Sequence, residues 1–186
     1  KFIRASIPAT IEIRQNINSD SLILGNATQV HQLLMNLCTN ASHAMEDKGG
    51  ILMVSLKDVN IEASSEIAKL GLEPGDYIEI GVSDTGKGIS AEHLASIFEP
   101  YFTTKGLGEG TGLGLAVVHG IVESYGGKIT VESKLGEKTS FTLLLPTIKN
   151  IQFHRQDESV DFRTGTERIL LVDDEAPIAK MGSRIF

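Results

Sequence analysis

Between Asp84 and Gly127 the chain concentrates residues suited to holding phosphate: DTGKGI, then IFEPYFTTK, then GLGEGTGLGLAVVHGIVESYGG. The second glycine cluster runs straight into an apolar helical pattern at Leu113, Ala116, Val117 and Ile121. A glycine loop feeding a helix N-terminus leaves several backbone N–H groups without partners and aims them at one spot, which suits a phosphate. The spacing therefore predicts a nucleotide site with its phosphates near Gly110 to Gly114. Asp84 closes a strand pattern just before TGKG. A carboxylate there only accepts hydrogen bonds, so it is suited to an exocyclic amine such as adenine N6. A turn aspartate capping Gly86 is an equal alternative.

Three other phosphate motifs fail on spacing. G-x-G-x-x-G needs a glycine where Leu113 or Leu115 stands. Gly81 to Gly88 approaches a P-loop through Gly86-Lys87, but Gly88 occupies the hydroxyl position and Asp84 would put a carboxylate in the cradle. The protein-kinase loop is missing, as are its H-R-D and D-F-G companions.

These residues need elements to hold them. FIRASIP and TIEIRQNI alternate as strands around Pro8-Ala9, giving strand character over residues 1–24. Asn26 is the expected N-cap of a helix, with Gln29 completing a capping box. That helix carries Val30, Leu33, Leu34, Leu37, Cys38, Ala41, Ala44 and Met45 on one stripe and ends at Gly49-Gly50. Asn36 and Asn40, four apart, stack on one flank, and His43 continues their row. Residues 51–62 and YIEIGVSD read as strands, with Ile78, Ile80 and Val82 on one face; 63–76 reads as an exposed connection. Ser90 should cap a short helix, AEHLASIF, that stops at Pro100, with Phe98 and Phe102 flanking the break. The glycine loop has too little side chain to pack by itself, so a mobile, ligand-ordered lid is expected there. A helix from Leu113 to Tyr125 and a hairpin, KITVESK and TSFTLLLP across LGEK, follow. Residues 147–166 read as a linker. RILLVDDE then resumes as a strand ending in Asp173 and Asp174, a carboxylate pair of the kind that serves metals at strand ends, and APIAKMGSRIF begins a helix.

Composition sets limits. The 186 residues suffice for one well-buried domain and something small. A net charge of −7 argues against a nucleic-acid surface while leaving room for local basic spots such as Lys105. No apolar run approaches a membrane span, so direct membrane contact is not expected. The single cysteine, Cys38, excludes an internal disulfide and fits a reducing, cytoplasmic compartment, whether or not a longer parent is membrane-anchored. The chain begins mid-pattern and ends on an unfinished helix, so it reads as a piece of something longer.

Taken together, the motifs resemble the catalytic ATP-binding domain of sensor histidine kinases, in the superfamily shared with gyrase, the Hsp90 chaperones and MutL. QVHQLLMNLCTNASHAM resembles the N box, DTGKGI the G1 box, IFEPYFTTK the F box and GEGTGLGL the G2 box, over residues 1–147. RILLVDDE resembles the first strand of a response-regulator receiver domain, so 148–166 would be a linker and 167–186 a truncated receiver of a hybrid kinase. The resemblance implies an α/β (α+β) two-layer sandwich, with a mixed, mostly antiparallel sheet, helices on one face and a mobile ATP lid.

It also implies roles. Asn40 would ligate Mg²⁺ bridging the ATP phosphates, with Asn36 one turn earlier supporting metal or phosphate. Asp84 would bond adenine N6, with Gly86 and Gly88 letting the backbone approach the base and Ile89 beside it. Phe98, Phe102, Thr104 and Lys105 belong to the same nucleotide site, Lys105 neutralising phosphate. The backbone of Gly110, Gly112, Leu113 and Gly114 would hold the phosphates at the helix N-terminus, where the dipole contributes about 0.3–2 kcal/mol, and Thr111 and Leu115 belong to the same nucleotide site. Thr139 belongs to the same nucleotide site, in KTSFTLLLP, which resembles the strand that closes these domains. His43 stands where the family often has Lys or Arg, and Lys138 where a glycine often precedes Thr139. Superfamily ATPases carry a general-base Glu at the Asn36 position; an amide cannot take that proton, which favours transfer over hydrolysis.

No histidine here sits in the H-[ED] context of a phosphoacceptor. The expected function is Mg²⁺-ATP binding and γ-phosphoryl transfer to a histidine on a separate dimerisation domain, in a homodimeric parent with the receiver in cis. Asp173 and Asp174 would bind Mg²⁺ only in a complete receiver. The competing reading is a nucleotide-binding regulatory module that docks a partner and transfers nothing.

Overall fold

The computed structural model describes residues 4, 6–62, 71–104 and 110–148. The chain divides into two compact units, Lys1–Ile151 and Gln152–Phe186; every described residue lies in the first. The expected linker beyond Ile148, the receiver segment with Asp173 and Asp174, Lys105 and most of the lid lie outside the described residues.

Five strands form one sheet in the order β1-β2-β3-β5-β4: β1 (Ile11–Asn18), β2 (Gly50–Ile61), β3 (Gly75–Asp84), β4 (Lys128–Lys134) and β5 (Lys138–Pro146). β1 pairs with β2 in parallel, and the other three pairings are antiparallel. Period-two alternation puts one apolar row on one face: Leu52, Val54, Ile78, Ile80, Val82, Phe141, Leu143 and Leu145 are all buried. That row packs against α1 (Ala27–Ala44) through Leu33, Leu37, Cys38 and Ala41, and against α3 (Gly114–Ser124) through Val118, Ile121 and Val122. The expected two-layer, mixed architecture is therefore observed. A smaller cluster of Ile61, Leu72, Tyr77 and Leu144 lies apart from this core.

Local chemistry departs from the sequence reading in five places. Arg4 and Ser6 are helical, not extended. The Arg4 guanidinium turns back to donate to the carbonyls of Ile11 and Pro8, each at 2.8 Å, which alternation in FIRASIP does not reveal. The extended stretch also stops at Asn18, before the expected Leu24. Asn26 caps α1 by accepting from the Thr28 N–H at 2.8 Å, but no capping box forms. Gln29 is instead engaged by the Tyr125 hydroxyl, which donates to its Oε1 at 2.6 Å and accepts from the Asn26 N–H at 2.9 Å. This links the start of α1 to the end of α3. α1 ends at Ala44, a full turn before Gly49, which adopts a φ of 67°. Finally, α2 spans only Ala91–Leu94. The Ser90 hydroxyl lies 3.0 Å from His93 Nδ1 and makes no backbone cap, while residues 95–100 run as turns that set Phe98 against His119 and Phe141.

Candidate nucleotide site

The site lies on the helix-bearing face of the sheet, where α1, the 84–89 turn and the start of α3 meet. β3 carries Asp84 to the edge of the core, and its register sets Asp84 opposite Leu52 on one side and Thr139 on the other. Asp84 and Thr139 are 4% and 3% exposed, two of three buried polar residues among those described. The Gly86 N–H donates to Asp84 Oδ1 at 2.8 Å, so Asp84 is indeed a turn-capping aspartate. It also lines a cavity. Burial pushes its carboxyl up to about 6, with the Gly86 hydrogen bond pulling the other way.

The turn after Asp84 is wedged between α1 and the β4–β5 turn. Lys87 N–H donates to the Ala44 carbonyl at 3.0 Å, and Gly136 N–H donates to the Lys87 carbonyl at 2.7 Å. A Cβ on Gly86 would lie 2.6 Å from the Ala44 carbonyl oxygen; one on Gly88, whose φ is 69°, would meet the Lys134 carbonyl at 2.3 Å. Both glycines are therefore demanded by the chain's own backbone packing, before any ligand approaches.

Two adjoining cavities define the groove. The first, about 160 Å³, is lined by Asn40, His43, Asp84, Gly88, Ile89, Phe102, Thr104, Leu115 and Thr139 among others. The second, about 400 Å³, is lined by Asn36, Asn40, His43, Phe102, Gly110, Thr111, Gly112, Gly114 and Leu115. Asn40, His43, Phe102 and Leu115 border both, so the row on α1 links the base-like end to the glycine end. The amide oxygen of Asn36 would stand 3.4 Å from a Cβ at Gly114, which places the α3 N-terminus directly over α1. Gly112, at φ 65°, has Tyr101 backbone where its Cβ would be, and the Tyr101 N–H donates to the Gly112 carbonyl at 3.0 Å. That bond closes the base of the loop between them.

Not every expected residue lines the groove. Gly86 is buried behind it, Phe98 packs against the His119 and Phe141 rings, and Leu113 is the half-exposed N-cap of α3. Conversely, Met35, Thr39, Ala44, Lys87, His93, Ile97, Thr103 and Phe141 line the cavities although the sequence reading did not single them out. Thr39 and Ala44 flank the Asn40–His43 row and were within reach of a helical-period argument; His93 and Ile97 depended on where the broken α2 segment turned. No group of three or more His, Cys, Asp or Glu side chains suited to a metal occurs among the described residues. Among the lining side chains, the Asn36 and Asn40 amide oxygens suit a hard cation that keeps waters and phosphate oxygens for most of its shell. No described helix is long and apolar enough to cross a membrane.

The family model of histidine kinase-, DNA gyrase B- and HSP90-like ATPases matches residues 25–149. The sensor kinase CckA of Brucella abortus is 39% identical over 170 residues, covering 84% of this chain and 17% of its own. The sensor histidine kinase ZraS of Escherichia coli K12 is 44% identical over 138 residues, covering 73% of this chain and 26% of its own. This chain thus spans about a quarter or less of these curated relatives. Among solved structures, the catalytic domain of histidine kinase ThkA superposes with a TM-score of 0.58 at 26% identity, covering 78% of this chain and 84% of that one. Full-length ShkA in complex with AMPPNP superposes with a TM-score of 0.55 at 28% identity, covering 74% of this chain and 26% of that one.

Proposed function

Because the chain belongs to the histidine kinase-, DNA gyrase B- and HSP90-like ATPase family, we propose that it binds Mg²⁺-ATP and serves γ-phosphoryl transfer to a histidine on a dimerisation domain, within a two-component system. The observation that carries this reading is the continuous groove. It has a buried carboxylate and hydroxyl, Asp84 and Thr139, at one end and a glycine-lined helix N-terminus at the other, with Asn40 and His43 common to both parts. Similarity to ShkA, solved with AMPPNP, supports an adenine nucleotide.

In this reading Asp84 accepts from the adenine amine, and Ile89, Phe102 and Leu115 bury the ring. Gly110 to Gly114 direct backbone N–H groups at the phosphates, and Lys105 adds a positive charge from the loop. Asn36 and Asn40 would hold a Mg²⁺ ion through their amide oxygens, and the ion would offset phosphate charge when bound. With amides at 36 and 40, this row supplies no carboxylate base to activate water, which favours an acceptor other than solvent. His43 lines the groove and can contact phosphate only as a hydrogen-bond donor or when protonated. The acceptor domain, a dimeric parent and a receiver in cis that begins in residues 167–186 complete the proposal; Asp173 and Asp174 would take Mg²⁺ there.

Titration with a non-hydrolysable ATP analogue, with and without Mg²⁺, tests the binding half. Metal-enhanced binding that Asp84→Asn and Asn40→Ala both weaken is expected; a folded chain that binds nothing would sink the reading. Radiolabelled phosphate appearing on a supplied cognate dimerisation domain tests the transfer half.

A further inference from the structure

Behind the base end of the groove, one hydroxyl holds three partners at once. Ser133 Oγ accepts from the Ile89 N–H at 2.8 Å, donates to the Lys138 carbonyl at 2.9 Å, and lies 3.0 Å from Thr139 Oγ1. A serine hydroxyl has one proton and two lone pairs. The carbonyl of Lys138 can only accept, so it takes the proton. The Ile89 N–H can only donate, so it fills one lone pair. What remains for Thr139 is the second lone pair, and Thr139 must therefore donate its own proton to Ser133. Its remaining lone pairs are left to the cavity that Thr139 lines beside Asp84.

Resting on the adenine-nucleotide reading of the site, we infer that Ser133 is a specificity-positioning residue that fixes Thr139 as an acceptor and so selects 6-amino over 6-oxo purines. Ser133 does not line the cavity; it acts through Thr139. A carboxylate alone discriminates poorly, since it accepts as readily from the N1–H of a 6-oxo purine as from an amine. Two neighbouring acceptors change the count. A 6-amino purine brings two N–H protons to them, whereas a 6-oxo purine brings one and sets its carbonyl lone pairs against the other acceptor. An unpaired or repelled acceptor in a buried site is costly. Were the Thr139 proton free, it would rotate to donate to that carbonyl and the selection would fade.

The test is calorimetric titration of the 186-residue chain with ADP and with IDP. The unaltered chain is expected to favour ADP by about tenfold or more, and Ser133→Ala to narrow that ratio by about tenfold. Ser133→Thr, which restores a hydroxyl, should recover it. Thr139→Val should weaken ADP and tighten IDP, because the acceptor that opposes the IDP carbonyl is gone. A purely structural role for Ser133, through its bond to the Ile89 N–H, would lower the melting temperature without moving the ratio. A ratio in Ser133→Ala within about twofold of the unaltered chain, or no preference in the unaltered chain although ADP binds, would overturn the inference. If Ser133→Ala does not fold, an unchanged ratio in Thr139→Val overturns it instead. A folded, unaltered chain that binds no ADP refutes the adenine reading itself, a separate result.

Discussion

Asp84 and Thr139 face each other across β3 and β5, on the face of the sheet that both long helices cover. Their neighbours one step along each strand on that face, Val82 and Phe141, are buried core residues and are themselves register partners. A carboxylate and a hydroxyl thus continue an apolar row into the groove. Burying polar groups there costs free energy unless partners are supplied; the Gly86 N–H supplies one to Asp84 and the Ser133 hydroxyl one to Thr139. The arrangement makes sense where a ligand provides the rest.

The pH dependence follows from the same pair. Burial raises the Asp84 carboxyl from its ordinary 3.8 to about 6. The folded state therefore holds a proton that the unfolded chain releases at lower pH, so Asp84 lowers stability progressively from about pH 4 to 6 and by a constant amount above that. Binding runs the other way, because an amine donates to the ionised carboxylate. ADP affinity should rise with pH through about 6 and level off above it. In Asp84→Asn the part of this rise due to Asp84 should vanish, with affinity at pH 7.5 at least about tenfold weaker; calorimetry across pH 5–8 checks both.

Gly86→Ala separates backbone packing from ligand contact. The added methyl meets the Ala44 carbonyl and threatens the Lys87–Ala44 hydrogen bond. A loss of about 1–3 kcal/mol is expected in urea unfolding without nucleotide. Unchanged stability of the unliganded chain would show that Ala44 yields and that Gly86 serves the ligand alone.

Asn40 borders both cavities, so Asn40→Ala should remove most of the Mg²⁺ dependence of binding. Affinity for the ATP analogue is expected to fall about tenfold with metal present and little in EDTA. Equal loss in both conditions would point to a packing role.

Cys38 packs within α1's buried stripe at 1% exposure, and burial pushes its thiol up to about 11. A disulfide reagent should therefore leave the native chain unlabelled for hours at pH 8 and label one thiol at once in denaturant. Rapid native labelling would mean that α1 opens far more readily than its packing implies.

Much of the fold was readable in the residues. The stripe from Val30 to Met45, the alternation at Ile78, Ile80 and Val82, and the LGEK turn each announce their element, because periodicity reports which side of an element meets the core. Boundaries were less so: α2 shrank to four residues, and residues 4 and 6 turned helical, since Ser90, His93 and Arg4 found partners that no local pattern encodes.

Residue spacing alone carried the ingredients of the site: a strand-end carboxylate, an amide row one turn apart, and a glycine run opening a helix. Each depends only on neighbours within a few residues, so spacing suffices to see it. Folding in three dimensions was needed for Asp84 to meet Thr139, 55 positions away by their numbers, for Gly86 and Gly88 to be claimed by Ala44 and Lys134, and for Tyr125 to take Gln29 from its expected cap. Those pairings are set by strand register and helix docking, which arise from burying one shared apolar face, and no local window of sequence contains both partners.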